Sequence, residues 1–102
     1  MSWDITHDTQ RGSLQLSGEL TIFSVQDIRQ RFLEALAQRD EITVDLGEVT
    51  EVDTAGLQLM LLAKRKPGTT VRFSRHSDVV LRLIDLANLG QALGDPLIIK
   101  AQ

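Results

Sequence analysis

Apolar and polar residues alternate near the start of the chain, with Trp3, Ile5 and His7 on one side, and again at Leu14 and Leu16 within residues 13–17. A repeat of two places successive side chains on opposite faces of a strand, so the pattern predicts two short half-buried strands. Asp8-Thr9-Gln10-Arg11-Gly12 between them reads as a hairpin turn. Gly18 is expected to break the second strand and leave residues 19–24 as a loop. From Ser24 the repeat lengthens to that of a helix. Val25, Ile28, Phe32, Leu33 and Leu36 fall on one stripe, while Arg29, Arg31 and Glu34 fall on the other. Ser24 is the expected N-cap, Asp27 stands three residues on in a capping-box-like position, and the helix is expected to reach Gln38.

Ile42-Thr43-Val44-Asp45-Leu46 is β-branched and alternating, a third strand, followed by a loop over residues 47–52. Asp53-Thr54-Ala55-Gly56 opens a second helix through Lys66, apolar almost all round and therefore expected to be largely buried, which Pro67-Gly68 stops. Residues 69–74 form a fourth strand. Ser77 caps a third helix with Val79, Val80, Leu83, Ile84, Leu86 and Ala87 on a wide apolar face. Asn88-Leu89-Gly90 ends that helix, residues 91–93 suit one short turn, and Leu97-Ile98-Ile99 after Pro96 reads as a last strand. The expected order is β-β-α-β-α-β-α-β. Strands alternating with helices behind an opening hairpin imply an α/β fold: a mixed sheet of four or five strands packed with three to four helices. Val44, Leu46, Leu59, Leu62, Leu83 and Ile84 are its expected core.

At 102 residues the chain fits one domain, residues 1–102. Hydrophobic residues make up 42% and charged residues 25%, ordinary values for a soluble globular protein. A net charge of -3 speaks against a nucleic-acid binder, which needs a basic face. With no cysteine, disulfides and thiolate metal sites are excluded, as suits a reducing cytoplasm. Met1-Ser2-Trp3-Asp4-Ile5 has no signal-peptide pattern, and the apolar run over residues 57–63 is far short of the about 20 residues that span a bilayer. His7 and His76 stand without a ligand cluster, no serine sits in a Gly-x-Ser-x-Gly elbow, and no phosphate-binding glycine motif occurs. Neither an enzyme nor a cofactor is expected. Lys64-Arg65-Lys66 lies at a helix end, where cations complement the dipole, and a basic docking spot is the alternative.

Chemistry concentrates in Val49-Thr50-Glu51-Val52-Asp53-Thr54-Ala55-Gly56-Leu57. A hydroxyl stands where a loop turns into a helix, followed by small residues. Unpaired N–H groups at a helix N-terminus suit an anion, so a phosphate on Thr54 would meet donors there, with space left by Ala55 and Gly56. Asp53 would either orient the hydroxyl or repel the phosphate. On chemistry alone, ordinary capping is the favoured account of Asp53 and Thr54. Thr21-Ile22-Phe23 has two readings too: an apolar docking patch near the start of the second helix, or a staple of the first helix to the core.

Asp53-Thr54-Ala55-Gly56-Leu57, behind a strand of the Val44-Asp45-Leu46 kind, resembles the Asp-Ser-Ser/Thr-Gly-Leu signature of STAS domains, including the bacterial anti-sigma-factor antagonists. Gly18-Glu19-Leu20 and the third helix, ending Leu83-Ile84-Asp85-Leu86-Ala87-Asn88-Leu89, match as well, so the resemblance spans nearly the whole chain. It implies a cytoplasmic, non-catalytic protein-binding module. In that family the residue after the motif Asp is a serine phosphorylated by a partner that is both kinase and anti-sigma factor. That position corresponds to Thr54. Threonine stands here for the commoner serine, and Thr21 stands where Asp often follows Gly-Glu-Leu.

The implied partner is a GHKL-type anti-sigma kinase or a related chemotaxis or two-component signalling protein. Asp53, Ala55, Gly56 and Leu57 of the motif, together with Thr21, Ile22 and Phe23 of the apolar loop, are the expected contact residues around Thr54. The sequence also resembles the cytoplasmic STAS subunit of the bacterial phospholipid-trafficking ABC transporter, whose Asp-Thr-Gly-Gly-Leu stretch serves a subunit interface.

Overall fold

The computed structural model describes residues 2–94. In chain order the elements are β1 (Trp3–Asp8), β2 (Ser13–Leu20), α1 (Val25–Leu36), β3 (Glu41–Val52), α2 (Thr54–Arg65), β4 (Thr70–Ser74), α3 (Asp78–Leu86) and the short α4 (Gly90–Leu93). The strands form one sheet in the order β1-β2-β3-β4. The β1–β2 hairpin is antiparallel, and the pairs β2–β3 and β3–β4 are parallel. The mixed α/β fold expected from the alternation is therefore present, with four strands among the described residues. The expected last strand, Leu97-Ile98-Ile99, lies outside them.

Register explains how the core is made. Leu14 pairs with Val44, and Val44 with Phe73, so one row of apolar side chains crosses the sheet. Ile5, Leu16, Ile42, Leu46 and Val71 share the same buried face, while Asp4, Thr6, Gln15, Glu41 and Arg72 point the other way into water. Against the buried face pack Ile28, Phe32 and Leu36 of α1, Leu57 and Met60 of α2, and Val80 and Ile84 of α3. Each fully buried side chain of this size contributes about 1.5–3 kcal/mol relative to exposure.

Several expectations are corrected. Gly18 does not end β2. It adopts a left-handed φ of 87°, and the register shifts between Gly18 and Glu19, so a bulge absorbs the glycine and the strand runs on to Leu20. An added Cβ there would strike the Ser2 carbonyl oxygen. Likewise residues 47–52 are strand and not loop, because β3 continues beside the prolonged β2 as far as the Leu20–Val52 pair. The first helix stops at Leu36, two residues before Gln38.

Leu62, expected in the core, is 58% exposed. The sheet buries only the arc of α2 that carries Gly56, Leu57, Leu59, Met60 and Ala63, and Leu62 points away from it. Leu83 is only partly buried against the core. Leu86, at the last position of α3, is exposed for the same one-sided reason. Ser24 and Ser77 occupy N-cap positions, but neither side chain makes a cap hydrogen bond.

Candidate partner-binding site

Because β2, β3 and β4 run parallel, α1, α2 and α3, which follow them in turn, all begin at the strands' C-terminal end. Leu20 and Val52 are paired there, and the two segments that leave them stay together. Asp53 is the link. Its backbone is extended, with φ -127° and ψ -174°, and it caps α2, its Oδ1 accepting from the Gly56 N–H at 3.1 Å. Its second oxygen, Oδ2, accepts from the Ile22 N–H at 2.9 Å. One carboxylate thus ties the start of α2 to a loop 31 residues earlier in the chain.

That loop, residues 21–24, satisfies its own backbone. The buried Ser24 hydroxyl donates to the Glu19 carbonyl at 2.7 Å and accepts from the Thr21 N–H at 3.0 Å. The Thr21 carbonyl accepts from Ser24 and Val25, both at 2.9 Å, and the Thr21 hydroxyl accepts from the Phe23 N–H at 3.3 Å. The Ser24 hydroxyl is therefore a buckle inside the loop, while only the residue's backbone caps α1, its carbonyl accepting from the Ile28 N–H at 3.0 Å. With its polar groups turned inward, the loop presents its apolar side chains outward: Ile22 is 61% exposed and Phe23 74%. The staple reading of these two residues is overturned.

Thr54, the first residue of α2, is exposed beside this loop, and Ala55 is half-buried. Three of the expected contact residues are placed otherwise. Leu57 is 2% exposed and belongs to the core, and Thr21 is buried within the loop's hydrogen bonds. Gly56 is buried as well, and its missing side chain serves packing rather than space around a phosphate. A Cβ at this position would strike the Leu20 carbonyl oxygen and come within 2.9 Å of Leu20 Cγ and 3.0 Å of Val52 Cγ2. Glycine lets the first turn of α2 sit directly on the ends of β2 and β3, where Asp53, the residue before Thr54, reaches the Ile22 N–H. Glu51 and Asp27 are also exposed and Asp53 half-buried, so the charges nearest in sequence to Thr54 and to the loop are acidic.

The cap at Asp53 was within reach of sequence rules. Its bond to Ile22 was not, because no local pattern reports a contact across 31 residues. Among the described residues no group of three His, Asp or Glu side chains could hold a metal ion, and no helix is long and apolar enough to cross a membrane.

The arrangement is similar in fold to solved structures. An anti-sigma factor antagonist from Mycobacterium paratuberculosis superposes with a TM-score of 0.80 at 18% identity, over 95% of this chain and 88% of that one. The anti-sigma factor antagonist SpoIIAA in its unphosphorylated form superposes with a TM-score of 0.68 at 20% identity, over 94% of this chain and 89% of that one. No curated protein matches the sequence. The family profile described as "Mlab, STAS domain" matches residues 3–99, which is nearly the whole chain, and the chain belongs to the STAS domain family.

Proposed function

We propose that this chain is a non-enzymatic, cytoplasmic partner-switching module that docks a GHKL-type anti-sigma kinase, or a related signalling protein, through Ile22, Phe23, Ala55 and Thr54. The observation that carries this reading is an exposed Thr54 next in the chain to Asp53, whose carboxylate fixes the loop that bears two exposed apolar side chains. Apolar anchors on a pre-ordered loop lose little conformational freedom on binding. In the switching step, Thr54 Oγ attacks the γ-phosphorus of ATP held by the partner. The bond from that phosphorus to the β-bridging oxygen breaks, ADP leaves, and the hydroxyl proton passes to a base on the kinase. The product adds a charge of about -1.5 to -2 to a corner already acidic, which opposes the interface.

A second reading, a STAS subunit of a phospholipid-trafficking ABC transporter, is favoured by a different observation. Asp53 already occupies the Gly56 N–H, so a phosphate on Thr54 would find one donor fewer and a carboxylate alongside. There the hydroxyl would supply contacts only.

The test is affinity capture of the tagged chain from its own cells, with mass spectrometry of the partners and of Thr54. A captured kinase, one phosphate on Thr54, and a Thr54→Ala variant that keeps its partner but takes no phosphate are expected. Capture of an ABC ATPase without phosphate, with assembly weakened by about 1 kcal/mol in Thr54→Ala, would establish the second reading instead.

A further inference from the structure

Away from the Thr54 corner, a slot of about 260 Å³ lies between α1 and α2. Its floor includes Phe32 and Leu59, both buried, and Leu62 stands along it at 58% exposure with Leu33 half-buried opposite. Arg29 of α1 and Lys66 at the end of α2 complete the lining, and no carboxylate is among the described residues that line it. Neither cation is held by an acidic side chain among the described residues. In a chain of net charge -3, a concave apolar strip bordered by cations alone is a local inversion of the surface.

We infer that this slot docks an acidic, amphipathic helix from a second protein, in addition to the surface around Thr54. Shape selects a helix. A slot between two packed helices receives a ridge of side chains from a third by the same ridge-into-groove geometry that packs helices inside proteins. The lining spans residues 29–36 on one side and 59–66 on the other, roughly 12 Å at 1.5 Å per residue, so the slot suits an occupant that engages it over about two turns. A flat anionic membrane would meet a concave strip poorly. Charge selects acids, because Arg29 and Lys66 flank the apolar strip and repel a basic partner. The slot involves neither Thr54 nor residues 22 and 23, so it stands or falls independently of the proposed switch.

The probe is a fluorescein-labelled 15-residue helical peptide with leucines spaced three and four apart and glutamates flanking them. Its control has lysine at every glutamate position. Anisotropy titration of the full chain is expected to show saturable binding of the acidic peptide and at least about tenfold weaker binding of the basic one. Binding should weaken by about tenfold in Leu62→Asp, whose side chain is exposed enough to change without unfolding the protein. The double variant Arg29→Glu with Lys66→Glu should prefer the basic peptide, and Thr54→Glu and Phe23→Ser should bind as the unaltered chain does. Equal binding of the two peptides, or binding that survives Leu62→Asp, would overturn the inference. So would Leu62-dependent sedimentation with phosphatidylglycerol vesicles when no peptide binds, or a dimer of this chain abolished by Leu62→Asp.

Discussion

Phe23 and Leu62 are both apolar and both more than half exposed, yet their surroundings differ in shape, charge and rigidity. Phe23 projects from a loop whose backbone is bonded to itself and to Asp53, near acidic side chains. Leu62 lies along a concave strip on two helices, bordered by Arg29 and Lys66. The first is a knob that fits a pocket with basic surroundings, and the second is a slot that fits an acidic ridge. Exposure alone would rank them together. What separates them is how each is built: the knob depends on one carboxylate that spans two segments, and the slot on side chains contributed by two neighbouring helices.

The most damaging way to break this comparison is Gly56→Ala. The added methyl has nowhere to go against the Leu20 carbonyl oxygen, so α2 must move off the strand ends. A loss of about 1–3 kcal/mol is expected in urea unfolding, the range for overpacked sites. Both surfaces should change, because the displaced helix carries Thr54 and Leu62 alike. Next in size is Asp53→Ala, which removes the cap of α2 and leaves the Ile22 N–H without its partner. About 1–2 kcal/mol should be lost, the upper part of the range for cap removal. Here the effect should be local: the amide resonances of residues 21–24 shift while those lining the α1–α2 slot do not. Asp53→Asn, which keeps an acceptor oxygen but can serve only one of the two donors well, should fall between Asp53→Ala and the unaltered protein. Smallest in stability are Phe23→Ser and Leu62→Gln, each within about 0.5 kcal/mol because neither side chain is part of the core. A double-mutant cycle on stability between these last two should show no coupling beyond about 0.3–0.5 kcal/mol, as befits sites with no shared partners.

The sequence disclosed the fold through its inward-facing positions. Ile5, Leu14, Leu16, Ile42, Val44, Val71 and Phe73 all lie on the buried face that the two-residue repeat assigns them. It misjudged Leu62 and Leu86 because an apolar residue on a helix is sorted by which neighbours surround that helix, and the chain does not encode this locally. It also ended β2 at Gly18, since a bulge and a strand end present the same glycine. At the site, the exposed position of Thr54 followed from its place at a helix start. The role of Ser24 as a loop buckle and the contact of Gly56 with Leu20 depend on pairing between distant strands and could not be read from spacing.

Among the described residues the core lies on one side of the sheet, and the other face carries the exposed Asp4, Thr6, Gln15, Glu41 and Arg72. Along most of each strand, every second residue is therefore under a single requirement, to be polar and tolerant of a strand, while its neighbours must also match volume and shape. Substitution can wander through the outward half of the sheet without a packing penalty. A backbone of this kind can stay superposable at 18% and 20% identity only if inward positions also exchange one apolar residue for another of compatible volume, which packed cores tolerate. For this architecture, low sequence identity measures how few positions the fold constrains and says little about how far two backbones have diverged.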